Sequence, residues 1–193
     1  MKRYGFLLLI FVFAAVLVLV LQKSGLWKTM TAEDLEASIE VVDVKTSWVD
    51  KYYQPWPQRL ILVPSISFRV KNITEKPIKY INFNANFRFR DDYENLGDAY
   101  LAAIRGEPVP PGEKSDVIHL KSNYGVEGKT LASFKDNPQW KIVIVKLFAQ
   151  GQGSQFLPLG EWEVSKQIDF KEPEPVGMKK QETKEELKNE EKK

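Results

Sequence analysis

The chain has 193 residues, 28 basic against 26 acidic for a net charge of +2, one histidine and no cysteine. The missing cysteines exclude disulfides, thiolate metal sites and cysteine nucleophiles together. The charge balance excludes the broad basic field that nucleic acid requires. Residues 29–170 carry 17 basic and 19 acidic side chains, and residues 171–193 carry seven of each.

Residues 6–21 read FLLLIFVFAAVLVLVL, sixteen apolar residues without a charge, a polar side chain or a proline. A full crossing takes about 20 apolar residues for a ~30 Å hydrocarbon core. Lys2, Arg3 and Lys23 can snorkel to the headgroups, and Trp27 suits the interface. The competing reading is a cleaved signal peptide. The residues two positions before the small Ser24 and Gly25 are Gln22 and Lys23, which makes a poor cleavage site. The flanks therefore favour a retained transmembrane helix over residues 1–28. Two basic side chains and the α-amine precede the run and two lysines follow it, which favours an inside N-terminus. The expected localisation is a single-pass protein of the bacterial inner membrane with its C-terminal domain extracytoplasmic. An exported domain without disulfides points the same way.

Residues 29–38 read as a connector or short helix, with Glu33, Asp34 and Glu36 suiting a helix start. Residues 39–46 alternate and are β-branched, which predicts a strand. Residues 47–57 (SWVDKYYQPWP) read as an aromatic loop with two prolines. A strand resumes over 60–73, with Ile66, Phe68 and Val70 on one face and Ser65, Ser67, Arg69 and Lys71 on the other. Residues 72–77 are turn chemistry. Residues 81–90 (INFNANFRFR) have an unbroken period of two, apolar on one face and Asn, Asn, Asn, Arg, Arg on the other. That pattern predicts a half-buried strand of an antiparallel sheet.

Turns are expected over 91–97 and loops over 106–112 and 123–128. Further strands are expected over 98–104, 115–121, 140–150 and 162–170, and a short helix over 129–137. About seven strands separated by turn signals predict an all-β, antiparallel two-sheet sandwich over 39–170. The Lys-, Glu- and Pro-rich stretch 171–193 reads as a charged, disordered tail.

The candidate chemistry is sparse. His119, the single histidine, is expected on an outward face, and neither a metal site nor a Ser/His/Asp relay has a signature. Asp91, Asp92, Glu94 and Asp98 could hold a cation or support carboxylate chemistry, but a solvated turn is the simpler reading. Gly125 and Gly128 in NYGVEGK resemble a phosphate loop only superficially. Asn72-Ile73-Thr74 fits the glycosylation sequon, read here as chance. The strongest candidate is the cluster Trp48, Tyr52, Tyr53 and Trp56, a platform for a partner protein or a glycan. No cofactor or metal is expected.

Three further motifs carry a resemblance. Val70-Lys71-Asn72 closes a strand and is followed by Lys76-Pro77-Ile78. Phe87-Arg88-Phe89-Arg90-Asp91 closes a second strand, and Pro111-Gly112-Glu113 precedes another. Over residues 66–120 this resembles the FxLYD-type and related immunoglobulin-like domains of bacterial extracytoplasmic proteins. Arg90 stands where that family has tyrosine, and Phe89 where it has leucine. The resemblance implies an Ig-like β-sandwich that binds or packs rather than catalyses. The expected function is a membrane-anchored, non-catalytic interaction or accessory module of the bacterial envelope. Its partners would be the membrane, through residues 6–21, and another envelope protein. The alternative is a carbohydrate- or peptidoglycan-binding module that uses the aromatic loop.

Overall fold

The unbroken period-two run in the middle of the chain forms the centre of one sheet. In the computed structural model, which describes residues 31–92 and 95–173, Ile81–Phe89 is a strand with Ile81, Phe83, Ala85 and Phe87 buried. The apolar run 6–21, with its anchor reading, and the tail from residue 174 on lie outside the described residues. Among the described residues no helix is long and apolar enough to cross a membrane.

Helix α1, Ala32–Glu36, opens the described chain. Thr31 caps it: its Oγ1 accepts from the Asp34 N–H (3.1 Å), and its own N–H donates to Asp34 Oδ2 (3.2 Å). The reciprocal cap fixes the turn that buries Leu35.

Eight strands follow among the described residues. They are β1 (Ile39–Pro55), β2 (Gln58–Asn72), β3 (Ile81–Phe89), β4 (Asn95–Ile104), β5 (Ile118–Lys121), β6 (Val126–Gly128), β7 (Val143–Gln150) and β8 (Leu157–Glu163). They form two antiparallel sheets. One has the order β1-β2-β5, with β6 also paired to β2; the other has the order β4-β3-β7-β8. The chain is thus an all-β, two-sheet sandwich. Its layers meet where the Phe68 ring stands edge-on to Phe83, centroids 5.1 Å apart.

Several sequence expectations need correction. The strand expected to end at residue 46 continues to Pro55, paired with β2 along its length. Register shifts at Val42/Lys45 and Asp50/Tyr52 change the phase of side-chain alternation, so the second half does not read as a strand. Residues 126–128 form a strand because they pair with Leu60–Leu62, not because of local pattern. The expected helix over 129–137 is one 3-10 turn, Leu131–Phe134. The last strand is Leu157–Glu163, where Pro158 and Gly160 obscure the strand signal.

The segment after β8 crosses to the other sheet and binds β1 directly. Trp48 N–H donates to Gln167 O (2.8 Å), and Asp169 N–H donates to Trp48 O (2.8 Å). Thr46 Oγ1 donates to Glu163 O (3.0 Å) and accepts from the Ser165 N–H (2.9 Å). The Trp48 side chain, 1 % exposed, stacks on Trp140 at 4.3 Å, and Trp140 meets Phe134 edge-on at 5.2 Å.

A second fastening centres on Asn72, which is fully buried. Its Nδ2 donates to Lys76 O (2.8 Å) and Val109 O (2.9 Å), and its Oδ1 accepts from Thr74 N–H and Oγ1. Its backbone bonds to Gly112 and Glu113. The sequon asparagine is therefore a structural hub with its amide fully engaged.

Trp48→Ala is expected to cost about 3–5 kcal/mol, because a large ring leaves a closed aromatic cluster. Trp56→Ala should stay within about 0.5 kcal/mol of the parent. Urea unfolding followed by circular dichroism measures both. Equal midpoints for the two variants would show that the Trp48 cluster does not hold the sandwich closed.

Candidate functional site

The four rings expected to form one platform are divided between the inside and outside of the sandwich. Along β1, Trp48 faces the core and Tyr53 rests against Phe170 (5.4 Å). Tyr52, adjacent in sequence to Tyr53, points to the other face and is 42 % exposed. Trp56 occupies the β1–β2 turn, joined to Pro57 by a cis peptide bond, and is 87 % exposed. The platform reading is thereby corrected to two exposed rings, Tyr52 and Trp56.

Long-range pairing adds a third ring that local sequence did not indicate. Val126 pairs with Leu62, which also pairs with Asp50, so the preceding residues lie beside the hairpin. Tyr124 there is 70 % exposed, with the Lys51 ammonium 5.8 Å from its ring centroid. Lys51 also donates to Asn123 O. This packing explains the glycines of the NYGVEGK stretch. A Cβ on Gly125 would lie 1.9 Å from Leu62 O, and one on Gly128 would lie 2.7 Å from the Phe134 ring. The glycines admit close packing, which accounts for them without a phosphate.

Polar contacts hold the hairpin end in one arrangement. Arg59 grips Glu127 through two 2.9 Å hydrogen bonds, and its guanidinium lies 5.7 Å from the Tyr52 ring centroid. Tyr52 Oη bonds to Gln54 Oε1, and Gln54 Nε2 donates to Trp56 O (2.9 Å). The hydrogen bonds from Arg59 hold the Glu127 carboxyl below its ordinary value, and Glu127 raises Arg59 in return. The result is a surface of exposed aromatics with an ordered cation and anion, chemistry suited to recognition.

The other candidates are dispersed. Asp92 lies 4.0 Å from Lys141, while Asp98 is on β4, and Glu94 is outside the described residues. Among the described residues no group of three potential metal ligands occurs. His119 is exposed on β5 between buried Ile118 and Leu120. A cleft of about 590 Å³ opens between the ends of the sheets, lined in part by Leu101, Val109, Val117 and Ile118.

No family model and no curated protein matches the chain. Among solved structures it is similar to the ApaA protein of Bordetella pertussis, at 15 % identity over 66 % of this chain and 93 % of that one, TM-score 0.37. It is also similar to the structural-genomics target SoR45, at 13 % identity over 73 % and 98 %, TM-score 0.40. A third likeness is to the ligand-binding region of serine-glutamate repeat protein A of Enterococcus faecium, at 13 % identity over 67 % and 99 %, TM-score 0.26.

The Arg59–Glu127 pair has a defined pH dependence. A lowered carboxyl pKa means the pair is intact above 4.5 and is lost as pH falls through the folded-state value. A carbon-detected NMR titration of Glu127 should give a midpoint below 4.5, which Arg59→Gln moves back up. A midpoint unmoved by that substitution would separate Glu127 from Arg59.

Proposed function

We propose that this chain is a membrane-tethered, non-catalytic recognition module. In this reading, residues 6–21 hold an immunoglobulin-like sandwich outside the bacterial inner membrane, and the sandwich docks another envelope protein through the β1–β2 hairpin end. The observation that carries the docking surface is Trp56, almost fully exposed on a turn linked to Tyr52 through Gln54, with the Arg59–Glu127 pair and then Tyr124, beside Lys51, farther along the hairpin. Aromatic and arginine side chains dominate the energetics of protein interfaces, and holding them in place lowers the entropy lost on docking.

Two features support the Ig-like reading. Sheet β1-β2-β5 faces β4-β3-β7-β8, so the fourth strand pairs beside the third rather than in the first sheet. Two of the three motifs behind the family resemblance also meet at one place. Asn72 of the V-K-N turn bonds to Lys76, which opens K-P-I, and to Gly112 and Glu113 of P-G-E. A glycan at the hairpin is the weaker reading, because Trp48 and Tyr53 face inward.

Photo-crosslinking in the native membrane tests this proposal. Replacement of Trp56 or Tyr124 with p-benzoylphenylalanine should give an adduct with one envelope protein. The same replacement at Glu163, on the outer face of the other sheet, should not. Equal adducts from position 163, or none from 56 and 124, would refute docking at the hairpin. N-terminal sequencing of the membrane-extracted chain checks the tether, and a start after residue 21 would remove it.

A further inference from the structure

The outer face of the second sheet carries an arrangement that the hairpin does not use. Asn82, Asn84 and Asn86 project from alternate positions of β3, opposite the buried Phe83, Ala85 and Phe87. At about 3.3 Å per residue the three carboxamides span roughly 13 Å along the strand. Asn84 is flanked in register by Tyr100 on β4 and Phe148 on β7, and Asn82 by Ala102 and Gln150. Tyr100 is 56 % exposed. Neighbouring strands are about 4.8 Å apart, so a ring stands on each side of the central amide.

Two facts bear on what this row can bind. The three asparagine side chains make no hydrogen bond within the described residues, unlike Asn72, Asn123 and Asn137, whose amides are all engaged. Asparagine is also disfavoured in strands, where Thr or Val would be stabilising. Three of them on the exposed face of an interior strand break the local rule without a structural return, a pattern expected at functional positions.

We propose that this face binds a neutral oligosaccharide lying along β3, with sugar faces against Tyr100 and Phe148 and hydroxyls on Asn82, Asn84 and Asn86. A carboxamide offers two donors and an acceptor in one plane, which matches hydroxyls that both donate and accept. Rings flanking convergent polar groups are the usual makeup of such a site. Charge favours a neutral chain: the rows containing Asn82 and Asn84 carry no ionic side chain on β3, β4 or β7. Ions begin at Asn86, with Asp98 and Lys146 on either side. The site is separate from the hairpin surface and does not depend on it.

The full-length chain, in a detergent without a sugar headgroup, is titrated calorimetrically with cellohexaose, maltohexaose and N-acetylchitohexaose. At least one should bind, with saturation transfer from the Tyr100 ring. Asn84→Ala and Tyr100→Ala should each weaken it at least about tenfold, while Trp56→Ala leaves it unchanged. Asn84→Thr separates binding from folding. It should raise the urea midpoint, since threonine suits the strand, and still weaken binding. No heat from any of the three sugars at millimolar concentration overturns the proposal, as does undiminished binding by Asn84→Ala.

Discussion

The sandwich depends on Trp48. One residue, in the middle of the first strand, joins chain segments more than a hundred positions apart. Its backbone N–H and C=O bond to Gln167 and Asp169, and its ring stacks on Trp140. With the Thr46 bonds to Glu163 and Ser165 and the Tyr53–Phe170 contact, that closure ties β1 to the segment after β8 as well as to β2. Backbone pairing supplies direction here, and the buried ring supplies the apolar area that makes the pairing persist. This also explains why an aromatic-rich stretch that resembles a binding loop contributes its first ring to the core instead.

Legibility followed the range of the interactions that fix each element. β3 was readable because its alternation is unbroken, and β2 because Ile66, Phe68 and Val70 keep phase to Asn72. The second half of β1 was not, because bulges reset the phase and Pro55 and Pro57 imitate a loop. β6 is three residues with no local signal, and it exists by pairing with β2. Residues 164–170 look like a strand by composition. They contribute one parallel bridge, at Ile168, and Ile168 and Phe170 pack against the core.

The surface divides along the same line. Tyr52 and Trp56 were legible as exposed aromatics, whereas the inward facing of Trp48 and Tyr53 depends on bulge positions that composition does not encode. Tyr124 could not be placed beside the hairpin without the Leu62–Val126 pairing. Likewise Asn84 was legible as a polar-face residue of a strand. Its placement between Tyr100 and Phe148 follows only from the register of three strands.

That register puts the two proposed recognition surfaces on different sheets, so occupancy of one need not displace the other. The geometry of β1 also bears on the proposed tether. The strand has 17 residues; Ile39 opens it, just after α1, and Trp56 follows its far end. At about 3.3 Å per residue, reduced by twist and bulges, these points are roughly 50 Å apart. With an anchor ahead of α1, and with β1 standing upright on the bilayer, the hairpin end would lie well away from the headgroups. Headgroup contact is then a poor account of the exposed Trp56, since an interfacial tryptophan sits at the membrane surface. A protein reaching the membrane-distal end of the sandwich fits both the position of the ring and the ordered polar groups around it.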